Sequence, residues 1–248
     1  MKKTILSPLV VTVVCVSTLG ASAYAGLLDD FSTSDESNYQ FLPAWQNPSD
    51  GWNVSGGVLS PYIPGNATGA WLWKGAELST VGDSVSLDFQ IINANASFGT
   101  AAGLYFANTL ASPTAAVEIS LLAQSGSSSS TLQFNGTDTP GLSVSGPQTG
   151  LSTLTVTMTG ETADSSTYSV DLSGGGLGDY NGTFTFGAGS AYFGPSLYDS
   201  DNPGDVVYDN LTANIQSVPE PATLALTGFG SLSLLLFRRR NQTAAKHQ

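Results

Sequence analysis

Apolar residues at every second position limit most tightly what this chain can fold into. In Ser84-Val-Ser-Leu-Asp-Phe-Gln-Ile, the residues Val85, Leu87, Phe89 and Ile91 alternate with polar neighbours. Leu151-Ser-Thr-Leu-Thr-Val-Thr-Met does the same through Leu154, Val156 and Met158, and Tyr168-Ser-Val-Asp-Leu and Thr183-Phe-Thr-Phe repeat the pattern. A period of two places apolar side chains on one face of a half-buried strand. Further strands are expected at Trp52 to Leu59, Ala70 to Trp73, Ala102 to Ala107, Val117 to Ala123, Ser130 to Phe134, Ala191 to Phe193 and Val206 to Ile215. No stretch carries an apolar stripe of helical period, and Lys, Arg and Glu are scarce where Thr, Ser and Gly abound. Short strands at even spacing, joined by Gly, Ser, Asn and Pro turns, predict an all-β body of two stacked antiparallel sheets. The runs SGSSSS (125–130) and SGGGLG (173–178) read as hairpin loops, because alternation resumes on both sides of each.

The ends of the chain read differently. Lys2 and Lys3 precede a mostly apolar run from Ile5 to Leu19, followed by Ala21-Ser-Ala23 and Ala23-Tyr-Ala25. This is the pattern of a secretory signal, cut by signal peptidase after Ala25 or, alternatively, after Ala23. Pro8 and the shortness of the run argue against an uncleaved anchor. Residues 1–25 are therefore expected to be a signal peptide and residues 26–217 one domain. Cys15 is the single cysteine and lies within the signal, so the body has no disulfide and no thiolate chemistry.

Charge narrows the partners. The body holds one cation, Lys74, against eighteen of the nineteen acids, a formal charge of −17. A surface that grips a phosphate backbone needs clustered Lys and Arg, so nucleic acid is excluded. The balance favours solubility, self-repulsion and divalent cations.

After residue 217 the composition changes again. Val218-Pro-Glu-Pro221 punctuates the end of the strands, since proline lacks an N–H and restricts its neighbour. Ala222 to Phe237 carries no charge, and Arg238, Arg239 and Arg240 stop it. Val218 to Phe237 as a helix would span about 30 Å at 1.5 Å per residue, enough to cross a bilayer core. The arginines would remain cytoplasmic, leaving the body outside and residues 241–248 as a cytoplasmic tail.

These residues resemble a PEP-CTERM sorting signal. Val218, Pro219, Glu220 and Pro221 match its motif, Ala222 to Phe237 its membrane helix, and Arg238 to Arg240 its basic end. The resemblance implies an exopolysaccharide-producing bacterium with an outer membrane. It further implies recognition of residues 218–240 by exosortase, a membrane protease-transpeptidase, with loss of the tail and release or attachment at the cell surface. The body bears a second resemblance. Its opening, GLLDDFSTSDESNYQFLPAWQNPSDGWNVSGGVLS, and its closing VVYDNLTANI are similar to the first and last strands of concanavalin A-like jelly rolls. That implies a jelly-roll sandwich with one concave sheet and adjacent terminal strands.

Little in the body suggests catalysis. The one histidine, His247, lies in the tail, so a Ser-His-Asp or Cys-His site is excluded, and zinc lacks ligands. Paired carboxylates are the remaining enzymatic option. Glycoside hydrolases of the jelly-roll superfamily carry an E-x-D-x-E cluster, which is absent; Glu36, Glu77, Glu118 and Glu161 are widely spaced. Glu118, within AVEISLL, is the most enzyme-like, though a strand residue pointing to the solvent face is the preferred reading.

Two groups of acids are candidate calcium ligands. Asp199, Asp201 and Asp205 share one turn with Asn202 and Gly204, although Pro203 interrupts the usual loop pattern and a solvated Asx turn is the alternative. The jelly-roll resemblance implies a structural calcium between the first and last strands, at Asp29 or Asp30 with Asp209. No other cofactor is expected. Trp71 and Trp73, two apart on one strand, share a face and are candidates for stacking on a sugar, with Trp45, Trp52, Tyr62 and Tyr105 as further aromatics. The competing role for Trp52 and for one of the pair is core packing.

The expected function is a non-enzymatic, exported cell-surface or matrix protein, first anchored in the inner membrane and then sorted by exosortase, associated with exopolysaccharide. The alternatives are a lectin-like carbohydrate-binding module and a glycoside hydrolase or lyase built around Glu118.

Overall fold

The alternating segments pair into two antiparallel ladders. A computed structural model of the 248-residue chain describes residues 24–216, apart from 34–35, 43–51, 111–112, 146–147, 163, 188–189, 201 and the side chains of 64–67. The expected span at 218–237, the basic end and the signal up to residue 23 lie outside the described residues. Among the described residues no helix is long and apolar enough to cross a membrane.

The strands in chain order are β1 (Tyr24–Asp29), β2 (Tyr39–Phe41), β3 (Val54–Ser55), β4 (Val58–Leu59), β5 (Ile63–Trp73), β6 (Ser84–Ile91), β7 (Thr100–Ala107) and β8 (Ala116–Ala123). There follow β9 (Ser129–Asn135), β10 (Leu142–Ser145), β11 (Ser152–Glu161), β12 (Ser165–Gly174), β13 (Tyr180–Gly187), β14 (Tyr192–Ser200) and β15 (Val206–Ile215). One sheet runs β13-β12-β11-β6-β15-β4-β3, with β1 also pairing β15; the other runs β10-β9-β8-β7-β14-β5-β2. All pairs are antiparallel, and sequence neighbours such as β6 and β7 lie in different sheets.

The alternation read from the sequence is the burial pattern observed. Val85, Leu87, Phe89 and Ile91 of β6 are buried, as are Leu154, Val156 and Met158 of β11, with half-buried polar residues between them. Register aligns them: Leu154 faces Leu87 and Val156 faces Val85. The second sheet contributes Leu104 and Phe106 of β7, Val117, Ile119 and Leu121 of β8, and Leu132 and Phe134 of β9. Tyr168 and Phe184 stack across β12 and β13, their ring centroids 5.0 Å apart. At about 25 cal/mol per Å² of apolar surface buried, this interior is the main stabilising term in a body without disulfides.

The structure departs from the sequence reading at the edges. β2 and β10 are three- and four-residue strands with too few alternations to register as such. β14 extends to Ser200, well past the expected Ala191 to Phe193. Gly194 and Pro195 both pair with β7, and the ladder to β5 begins only at Ser196, just past the residue that lacks an N–H. At the start of the body, β1 takes in Tyr24 and Ala25, which pair with Ile215 and Asn214. The first and last strands are thus adjacent.

The junction with the tail is fixed by one buried carboxylate. Asp83 is fully buried and accepts the backbone N–H groups of Ser79 and Thr80, each at 2.8 Å, and of Gln216 at 2.7 Å. Its carbonyl also accepts the Met158 N–H, so it binds the β5–β6 turn, β11 and the last described residue into one knot. A buried N–H left without an acceptor costs roughly 1–3 kcal/mol. Asp83→Ala removes the acceptor of three part-buried N–H groups and is expected to lower unfolding free energy by about 1–3 kcal/mol. Urea unfolding followed by tryptophan fluorescence measures this; a shift below about 1 kcal/mol would show that the knot contributes little.

Candidate functional site

The aromatic residues converge, but inward. Trp71 and Trp73 do share a face of β5, and it is the face toward the core. Tyr39 pairs with Trp73 and Phe41 with Trp71. Trp71 is 2 % exposed, with Trp52 at 5.8 Å and Phe41 at 6.4 Å between ring centroids. Trp52 packs on Tyr39 at 4.8 Å. The expectation of a two-ring sugar platform is corrected for Trp71: neighbouring rings crowd it, and no face remains for a pyranose. Trp73 is half-buried and meets Tyr39 edge-on at 5.2 Å, so it keeps some free surface. Trp45 lies outside the described residues.

The acidic groups are tied up locally. Asp205 accepts Asn202 N–H at 2.8 Å through one carboxylate oxygen and Asn93 Nδ2 at 3.1 Å through the other, which ties the turn back on itself. Asp199 is buried with a left-handed φ of 50°, and Asp201 lies outside the described residues. Asp29 accepts the Phe31 N–H at 2.7 Å and the Tyr39 hydroxyl at 2.9 Å. Asp30 accepts the Ser32 N–H at 2.9 Å, and its hydrogen bonds with Ser32 hold its carboxyl below the usual carboxylate range. Asp209 accepts the Asn210 N–H. A hollow of about 270 Å³ lies beside Asp29 and Asp30, lined by Leu27, Leu28, Thr33 and Asn38 as well. Among the described residues no three Asp, Glu, His or Cys side chains converge as a metal would require.

The polar residues that do converge lie on the outward face of the β10–β2 sheet. On β8, Val117, Ile119 and Leu121 point to the core, so Glu118 and Ser120 point away. Register then builds two rows. Asn135, Glu118, Tyr105 and Gly194 follow one another across β9, β8, β7 and β14; Gln133, Ser120, Gly103 and Ser196 form the row beside it. A Cβ on Gly103 or Gly194 would collide with the backbone of the neighbouring strand, so neither position tolerates a side chain. The result is a close-packed glycine strip with Glu118, Ser120, Ser196 and Tyr105 around its rim.

The rim is unusual in its hydrogen bonding. Glu118 is 8 % exposed and Ser120 and Ser196 are fully buried. Oε2 of Glu118 accepts Asn135 Nδ2 at 3.3 Å. Oε1 of Glu118 and the hydroxyls of Ser120 and Ser196 have no hydrogen-bond partner among the described residues. Burial pushes the Glu118 carboxyl above its ordinary range; the Asn135 amide and the Ser196 hydroxyl, which approaches without reaching hydrogen-bond geometry, offset part of the rise. Tyr105 is raised too, by its own burial and then by the charge of Glu118. Buried polar atoms without a protein partner are uncommon in folded chains. Alternation alone places Glu118 outward, but Ser120 and Ser196 meet only through pairings between strands far apart in sequence. No local signal marks them.

Comparison with known proteins adds an address. Residues 217–240 match the PEP-CTERM protein-sorting motif, beginning at the residue after the Asp83-bound Gln216. No curated protein matches the chain. Among solved structures, the chain is similar to the metal-free carbohydrate recognition domain of Emp46p, at 13% identity and a TM-score of 0.45 over 79% of this chain and 97% of that one. It is similar to the CBM2 module of the evolved Dit of Lactobacillus casei BL23 phage J-1, at 11% identity and 0.44 over 79% and 98%. A PL-14 alginate lyase from Aplysia kurodai gives 9% identity and 0.44 over 79% and 99%. At these values the likeness bears on neither ligand nor activity.

Two outcomes test this geometry. Because folding raises the Glu118 carboxyl, the group supports the folded state only while protonated. That contribution is complete below the unfolded carboxyl range and is lost as pH rises through the folded value. Glu118→Gln, permanently neutral, is expected to raise the melting temperature at about pH 7 by a few degrees and to leave it unchanged at about pH 4. Equal shifts at both pH values would contradict the buried-carboxyl assignment. For the aromatics, Trp71→Ala is expected to cost about 3–5 kcal/mol and Trp73→Ala distinctly less, read from denaturant midpoints.

Proposed function

We propose that the protein is a non-enzymatic, exported β-sandwich, processed by exosortase and retained in the exopolysaccharide layer of the cell surface. The observation that carries this reading is the PEP-CTERM motif at 217–240, which follows the last strand without a spacer. Val218 to Pro221 would be the recognition element, Ala222 to Phe237 the temporary membrane anchor and Arg238 to Arg240 its cytoplasmic stop, with residues 1–25 removed by signal peptidase. Within the layer, the half-buried Trp73 is the aromatic suited to a glycan contact. Structural calcium at Asp199, Asp201 and Asp205, or at Asp29, Asp30 and Asp209, belongs to the same reading as an accessory.

The non-enzymatic part of the proposal rests on the number of carboxyls. Glycoside hydrolysis takes two, about 5–10 Å apart across the scissile bond. In the two rows that contain it, Glu118 is the one carboxylate among the described residues.

Expression in a host with and without exosortase tests the sorting. With the enzyme, a shortened chain is expected in the matrix fraction. Without it, or in a Pro219→Ala, Glu220→Ala double variant, the full-length chain is expected to stay with the membranes. Persistence of the intact tail in cells with active exosortase would overturn the proposal.

A further inference from the structure

The hollow beside Asp29 and Asp30 brings several chemistries to one wall. The chain builds it while crossing from β1 in one sheet to β2 in the other, with carboxylates from Asp29 and Asp30, a hydroxyl from Thr33, an amide from Asn38 and apolar surface from Leu27 and Leu28. Leu27 is 48 % exposed, an apolar ledge at a polar site. A volume of about 270 Å³ corresponds to about nine waters of liquid, which suits a single ring rather than a long ligand.

The wall is held firmly. Asp29 accepts the Phe31 N–H through Oδ1 at 2.7 Å and the Tyr39 hydroxyl through Oδ2 at 2.9 Å. Phe31 is fully buried with a left-handed φ of 50°, a conformation that a bulky residue keeps only where its surroundings fix it. Asn38 is fixed by its carbonyl, which accepts the Lys74 N–H at 2.9 Å, while Lys74 Nζ donates to the Ser37 carbonyl at 2.9 Å. Tyr39, the next residue, pairs with Trp73. The half-buried Trp73 and the one cation of the body therefore flank the Asn38 side of the hollow.

Charge and donor count select the occupant. Asp29 commits both oxygens inside the protein, so Asp30 is the carboxylate left for a ligand; it is exposed and bonds to Ser32 within its own turn. Calcium takes about six to eight oxygens. Asp209 is not in the lining, and among the described residues no third acidic side chain joins the pair. The hollow is undersupplied for that ion, which leaves the β14–β15 turn as the place for calcium. Uronates and phosphates meet two carboxylates on a body of formal charge −17 and are repelled. An uncharged, hydroxyl-rich ligand meets neither objection. Its hydroxyls donate to a carboxylate, and they both donate to and accept from a threonine hydroxyl and an asparagine amide.

We propose that this hollow binds one neutral hexopyranose unit of extracellular polysaccharide. Two neighbouring hydroxyls of the ring donate to the Asp30 carboxylate, Thr33 and Asn38 bond its remaining polar edge, and its C–H face lies on Leu27. Trp73, beyond Asn38 and Tyr39, is available to the adjoining unit. This inference rests on the glycan-layer reading above and gives it a site and a ligand class.

Titration calorimetry tests this on the full-length chain in a sugar-free polyoxyethylene detergent at about pH 7. The probes are cellotetraose, mannotetraose, galactotetraose and tetragalacturonate, each run with chelator and with added calcium. At least one neutral tetramer is expected to bind in about the millimolar range or tighter, equally with and without calcium, and the uronate is not. Asp30→Asn, at an exposed position, is expected to leave the melting temperature unchanged and to weaken binding at least about tenfold, and Thr33→Val to weaken it less. Asp171→Asn, which removes an equal charge from an exposed position on β12, is expected to leave the affinity unchanged. Full affinity in Asp30→Asn, equal loss in Asp171→Asn, binding of the uronate as tight as that of a neutral tetramer, or binding only with calcium would each overturn the proposal. Absence of binding by all three neutral tetramers, with normal exosortase processing and matrix retention, removes the sugar site and leaves the sorting reading standing.

Discussion

The contact between the apolar faces of two sheets is the interaction on which the rest of this protein depends. With no cysteine in the body, nothing covalent holds the strands, and with one cation almost no ion pairs are available. The interior has to be dense to compensate. Phe106, Phe184 and Tyr168 meet across the middle of the sandwich, and Phe31, Tyr39, Trp52 and Trp71 fill its other flank. The polar exteriors of β11, β12 and β13 follow from the same constraint, since a strand with one buried face has to hydrate the other.

Backbone closure is the second constraint. The last strand, β15, is flanked by β6 on one side and by β1 and β4 on the other. The chain's final described residues are thus built into a sheet rather than trailing from it, and Asp83 secures Gln216. The sandwich and the sorting signal are distinct in composition yet nearly contiguous in sequence.

Close strand packing shapes the outward face of the second sheet. Neighbouring backbone lies where a side chain on Gly103 or Gly194 would stand. Burying an ionisable carboxyl beside them carries an energetic penalty, visible as the raised protonation range of Glu118.

Alternation by itself determined the class of fold, the inward residues of β6, β8, β11, β12 and β13, and the outward direction of Glu118, because strand periodicity is a local property of the chain. Composition determined the absence of thiol, histidine and zinc chemistry in the body, and a short contiguous motif gave the sorting address. Register remained hidden, since it depends on pairings between residues scores of positions apart. Only the tertiary structure turned the Trp71 face inward, bonded the Asp205 carboxylate to the Asn202 N–H, and brought Ser120 and Ser196 to the two sides of Gly103. A tryptophan or glutamate two residues along a strand has one of two faces available, and which of them is covered is decided by the sheet stacked against it.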